Sequence, residues 1–145
     1  MTAATSTAIA FDVLGEAIPQ GSMQAFVRGD RAILTSDNPR LKAWRAAVTA
    51  GAAATMRLES AVKLDGPVAV RLDFYLPRPP SIPKRRVWPA VRPDVDKLSR
   101  AVLDALTGTV ITDDSRVVDL RAVKHYARAT AGVRVVVEPI EQVLL

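Results

Sequence analysis

The chain has 145 residues, 49% of them hydrophobic, and a formal net charge of +5 from 20 basic and 15 acidic side chains. This is enough for one domain with a real core, and the composition excludes an intrinsically disordered chain. With no cysteine and a single histidine, His125, disulfides, thiolate zinc sites and multi-histidine centres are excluded, so any metal must be held by oxygens, which favours Mg²⁺ with Mn²⁺ as its substitute.

Residues 1–8 read as a loose tail of small side chains, and 9–145 as a single domain without repeats. No apolar run is long enough to span a bilayer, so no membrane association is expected. The Ala-rich start lacks the basic opening and apolar core of a secretion signal, which predicts cytoplasmic residence.

Ile9–Leu14 alternates well enough for a strand, and residues 15–21 read as a turn and loop. Residues 23–28 and Arg31–Thr35 flank Gly29-Asp30, a hairpin pattern. Ser36-Asp37-Asn38-Pro39 combines capping side chains with a proline suited to the first turn of a helix. Leu41, Trp44, Val48 and Ala52 follow at helical spacing, so the helix should run to about residue 56. Trp44 then faces the core, Arg40, Lys42 and Arg45 face outward, and Gly51 weakens the helix without breaking it. Residues 67–76 give the clearest strand, with Val68, Val70, Leu72, Phe74 and Leu76 on one side and Arg71, Asp73 and Tyr75 on the other.

Six prolines between residues 77 and 93 forbid a helix or a central strand there. A second helix should begin near Asp96, bury Leu98, Val102, Ala105 and Leu106, and end at Gly108. Val110-Ile111 is a candidate short strand, residues 112–115 a turn, and 116–126 and 133–138 two further strands. The pattern predicts an α+β fold: a small mixed sheet with two main helices packed on it.

Acids gather in one part of this basic chain. Asp94 and Asp96 flank one residue, Asp104 sits on the polar side of the second helix, and Asp113-Asp114 follow in a turn. Two residues span about 200° of an ideal helix, so Asp94 and Asp96 cannot share a helix face, though they can share a side at an extended strand end. Taken singly, each has a plainer reading. Asp94 and Asp96 are turn and N-cap residues, Asp113-Asp114 ordinary turn formers, and Asp104 a solvated partner of Arg100. The joint pattern points further, because crowded carboxylates repel one another and a divalent cation removes that repulsion. Such an ion polarises a phosphodiester, generates hydroxide from water and stabilises the leaving oxygen. Arg100 and Lys124 are candidates for neutralising the transition-state charge, or are plain surface cations of helix and strand.

The proline-rich loop holds Arg78, Lys84, Arg85, Arg86 and Arg92 around Trp88. It reads as a set of phosphate contacts with Trp88 free to stack on an unpaired base, or as a surface loop whose Trp88 packs on the core. His125 reads as a sheet residue with no catalytic role.

The run Arg92-Pro93-Asp94-Val95-Asp96-Lys97-Leu98-Ser99-Arg100, continuing through Asp104-Ala105-Leu106 to Asp113-Asp114, resembles the RusA family of Holliday-junction resolvases. The family's pattern is roughly Pro-Asp-x-Asp-Asn-Leu-x-Lys, Asp-Ala-Leu, Asp-Asp. Ile18-Pro19-Gln20-Gly21 is similar to its N-terminal Gly-x-Pro-x-Lys-x-Arg segment. The resemblance implies a RusA-like α+β homodimer that cuts four-way DNA junctions by symmetric paired nicks with Mg²⁺. It implies Asp94, Asp96 and Asp114 as metal ligands, with Asp113 and Asp104 as supporting acids. It also places Arg100 at the family's catalytic lysine and Lys124 at another basic position. Lys97 stands where asparagine is usual and becomes a further DNA contact, Arg100 replaces lysine, and Gln20 replaces a common basic residue. Two alternatives follow: a metal nuclease for flaps or other branched DNA, and a junction-binding protein with weakened catalysis.

Overall fold

The computed structural model describes residues 8–21, 24–28, 31–35 and 38–143, with the strands at 24–28 and 31–35 described by backbone alone. Most of the expected tail, the Gly29-Asp30 turn and the Ser36-Asp37 pair lie outside the described residues.

The elements run β1 (Ile9–Leu14), β2 (Gln24–Arg28), β3 (Arg31–Thr35), α1 (Pro39–Leu58), β4 (Val68–Leu76), α2 (Val95–Leu106), a short 3₁₀ turn (Asp114–Arg116), β5 (Val117–Tyr126) and β6 (Gly132–Pro139). β2 and β3 form a separate antiparallel ribbon. The main sheet has the order β1-β6-β4-β5. β6 pairs antiparallel with both β1 and β4, whereas β4 and β5 are parallel. A parallel pair needs a crossover, and here the crossover consists of the proline-rich loop, α2 and the 3₁₀ turn. This is the mixed α+β sheet with two helices that the patterning predicts.

Alternation decides which face is covered. Val68, Val70, Leu72, Phe74 and Leu76 of β4 are at most 5% exposed, and Val133, Val135 and Val137 of β6 join them. The helices supply the other side of the core. α1 gives Leu41, Trp44, Val48, Ala52 and Met56, and α2 gives Leu98, Ala101, Val102, Ala105 and Leu106. α1 starts as its sequence requires: the Asn38 side chain accepts from the Arg40 N–H at 3.0 Å, and Pro39 fills the first turn. It runs two residues beyond the expected end, to Leu58.

Two local expectations are corrected. The first intrahelical bond of α2 runs from the Leu98 N–H to the Asp94 carbonyl, so Asp94, in extended backbone, is the N-cap and Asp96 sits in the first turn. Val110-Ile111 forms no strand; Ile111 makes isolated bridges to Leu64 and Thr107. At its far end α2 stops at Thr107, and Gly108 takes the positive φ of 84° that favours glycine after a helix.

Gly132 faces β1 so closely that an added Cβ would run into the Val13 carbonyl oxygen. Gly132→Ala should therefore cost about 1–3 kcal/mol, read as a lower urea midpoint. Gly21→Ala, where nothing lies within 4 Å, should leave the midpoint unchanged.

Candidate metal and DNA site

α2 lies over the edge of the sheet beside β5, and the 3₁₀ turn enters β5 from the same end. The space between them is a hollow lined by Asp96, Arg100, Leu103 and Asp104 of α2, by Asp114 of the turn, and by Leu120 and Ala122 of β5. Asp96, Arg100 and Asp104 reach it because they repeat at helical spacing on the side of α2 opposite its buried stripe. Among the described residues Asp96 and Asp114 make no ion pair, whereas Asp104 lies 3.7 Å from Arg45 of α1. The expected Asp104–Arg100 pairing is thus replaced: α1 packs alongside α2 and brings Arg45 to this carboxylate.

Asp94 looks into an adjoining hollow with Gln20, Arg40, Arg92 and Lys97. Lys97 Nζ approaches its carboxylate at 3.8 Å. Gln20 borders both hollows; its backbone N–H donates to the Lys97 carbonyl, and its side-chain oxygen is buried without a partner. Lys124 lines neither hollow. Its ammonium donates to the carbonyls of Val91 at 2.7 Å and Pro93 at 2.9 Å, so it pins the segment that leads into Asp94 and α2. Two of its three N–H groups are engaged there.

The turn holding the Asp pair is fixed from behind. Asp113 accepts from the Ser115 N–H at 3.0 Å, which caps the 3₁₀ turn and directs its carboxylate to its own backbone. Asp65 accepts from the Thr112 hydroxyl at 2.6 Å and from the Arg116 guanidinium at 3.2 Å. Thr112 and then Arg116 hold the Asp65 carboxyl below its ordinary value, and Ser115 does the same for Asp113. Groups with depressed folded-state values add stability that is present above the unfolded value and lost as pH falls through the folded one. Thermal stability should therefore be flat above about pH 5 and fall steadily below about pH 4. Asp65→Asn should reduce that acid sensitivity in a pH series of melting curves.

The proline-rich loop has its own framework. Arg78 donates to the carbonyls of Arg86 at 2.8 Å and Pro83 at 2.9 Å, and lies over the Tyr126 ring at 4.8 Å. Its guanidinium is thus occupied in shaping the loop. Lys84, Arg86 and Trp88 line a large hollow against the end of the sheet, Arg85 stands exposed, and Arg92 borders the Asp94 hollow. Trp88 is 58% exposed and is not packed into the core.

One cluster escaped the sequence reading. Asp73, 8% exposed, accepts from Arg71 at 2.9 Å and meets His125 Nε2 at 2.8 Å. Burial pulls the Asp73 carboxyl upward, but the Arg71 and His125 hydrogen bonds outweigh it and hold the carboxyl below its ordinary value. Arg71 and Asp73 are two apart on one strand, which places them on the same face and was a usable signal. The register that sets His125 against Tyr75 across a parallel pair was not legible.

No helix among the described residues is long and apolar enough to cross a membrane. The family described as "Endodeoxyribonuclease RusA" matches residues 16–138. A Bacillus subtilis (strain 168) protein named "Uncharacterized protein YqaN" is 31% identical over 129 residues, covering 82% of this chain and 88% of the Bacillus protein. The family match takes in β2 to β5, nearly all of β6, both helices and the linings of both acidic hollows, and the chain belongs to the RusA endodeoxyribonuclease family.

Proposed function

We propose that the protein is a Mg²⁺-dependent endonuclease that resolves four-way DNA junctions by symmetric paired nicks, acting as a homodimer in the cytoplasm. The observation that carries this reading is the hollow lined by Asp96, Asp114 and Arg100, in which neither carboxylate makes an ion pair among the described residues. Among the described residues no three acidic or histidine side chains stand close enough to hold an ion by themselves. Mg²⁺ does not require them: it binds through one or two carboxylates and completes its shell with water and substrate phosphate oxygens. Asp96 and Asp114 fit that donor set; Asp94, in the adjoining hollow, with Asp104 and Asp113, supports it from farther off. When bound, the ion supplies charge neutralisation at the phosphodiester and eases deprotonation of the attacking water.

The chain's own residues do the rest. Arg100 offers a fixed positive charge to the phosphate at the hollow. Lys124 acts on the site through the backbone it holds, at Val91 and Pro93. Lys84, Arg85, Arg86, Arg92 and Lys97 present cations to the DNA backbone, and Arg78 shapes the loop that holds four of them. Paired nicks need two matched sites, which a two-fold dimer supplies. Labelled four-way junctions, flaps, duplexes and single strands, each incubated with Mg²⁺ or EDTA, test this. Metal-dependent nicks at symmetric positions of the junction are expected; cleavage of flaps with intact junctions would overturn the resolvase reading.

A second reading, a junction binder with weakened catalysis, is favoured by the Lys97–Asp94 approach at 3.8 Å, because the ammonium competes with an ion for that carboxylate. An exposed pair of this kind is worth about 0.2–1 kcal/mol. Lys97→Asn should then lower the Mg²⁺ concentration giving half-maximal cleavage by about 2–5-fold. An unchanged Mg²⁺ requirement would remove Lys97 as the cause of any weakness.

A further inference from the structure

A hollow larger than the acidic one lies elsewhere on the molecule. It lies at the C-terminal end of β5, and Tyr75, Trp88 and His125 line it together with Lys84, Arg86 and Arg128. Tyr75 and His125 are register partners on β4 and β5, while the next residues inward, Phe74 and Lys124, face the helices. The aromatic hollow therefore opens on the sheet face opposite the acidic one, and β5, the outermost strand, separates them.

Three rings form a graded stack. Tyr75 and His125 stack at 5.0 Å with planes 19° apart, and Trp88 lies against His125 at 5.8 Å with a tilt of 39°. The middle ring is fixed. An ionised carboxylate can accept only, so His125 Nε2 carries the hydrogen donated to Asp73 at 2.8 Å, and Arg71 holds the same carboxylate from the other side. The outer ring is open: Trp88 is 58% and its neighbour Val87 66% exposed. Among the described residues Lys84, Arg86 and Arg128 make no ion pair, and the acid of this hollow, Asp12, is neutralised by Arg134 at 3.0 Å. An exposed indole backed by rigid rings and rimmed with free cations suits a ligand that joins a flat π-face to a negative backbone.

We propose that this hollow is a second DNA-contacting site, which takes an unpaired nucleotide by stacking its base on Trp88 and placing its phosphates among Lys84, Arg86 and Arg128. It deepens the DNA-processing reading and rests on it: a strand freed at a branch point would round the β5 edge and be held on the far face of the sheet. The site needs no metal and takes no part in bond cleavage.

The test measures binding in EDTA, without cleavage, using a fluorescein-labelled fifteen-nucleotide oligothymidylate and a blunt duplex of equal length. For the wild type, the single strand should quench tryptophan emission, and Trp88→Ala should abolish that quenching. Trp88→Ala should weaken single-strand binding by roughly 5–100-fold, the range for loss of one base–aromatic stack, and leave duplex binding unchanged. Trp88→Phe should restore most of the affinity, and melting curves of both variants should match the wild type because the indole is exposed. Equal affinity of Trp88→Ala for the single strand would overturn the proposal, as would an equal loss on the duplex or the absence of quenching. Those failures would leave junction cleavage at Asp96 and Asp114 intact, and failure of junction cleavage would leave this binding result standing.

Discussion

Asp96→Asn should abolish metal-dependent cleavage while leaving DNA affinity close to that of the wild type. The substitution keeps the size of the side chain and its place in the first turn of α2, so the fold is untouched. It removes one of the two carboxylates lining the acidic hollow that make no ion pair among the described residues. A bound ion supplies several kcal/mol of transition-state stabilisation, and weakening its seat should lower the single-turnover rate about 10³-fold or more. Asp114→Asn should behave alike, from the other wall of the hollow. Asp113→Asn should cost far less, because Asp113 is engaged with the Ser115 N–H. A rate within tenfold of the wild type for Asp96→Asn would place the chemistry elsewhere.

Leu98→Ala should be among the most damaging single changes to the fold that touch no polar site residue. Leu98 is fully buried, and its own N–H makes the first bond of α2, to Asp94. Truncating such a side chain removes its transfer energy and leaves a cavity, about 2–5 kcal/mol in all. For a domain of this size that is a drop in Tm of roughly 6–15 °C. Because α2 carries Asp96, Arg100 and Asp104 on its outer side, activity should fall at temperatures where the variant is still mostly folded. Leu14→Ala, at a side chain 71% exposed, should shift Tm by no more than about 2 °C.

These two positions also show how far the sequence could be read. Leu98, Val102, Ala105 and Leu106 declare their buried stripe by spacing alone, and the even positions of β4 declare their face by alternation. Such signals are local, and the structure reproduces them. The site is less local. That Asp96 and Asp114 border one hollow follows from the parallel β4–β5 pairing and the crossover that joins them, so the motif could indicate the grouping while spacing could not. The partners of Asp104 and Lys124 were not legible for the same reason: Arg45 and the Val91 and Pro93 carbonyls are remote in sequence. The shift of the N-cap from Asp96 to Asp94 is smaller, a matter of which carbonyl accepts the first helical bond. His125, read as inert, stands in a ring stack that required a cross-strand register to see.

The most direct measurement is the anomalous scattering of Mn²⁺ in crystals of the protein grown with a four-way junction. A peak is expected within coordinating distance of both the Asp96 and Asp114 carboxylates and of a junction phosphate. Crystals saturated with Mn²⁺ that show no peak in that hollow, with both carboxylates facing bulk water, would contradict it.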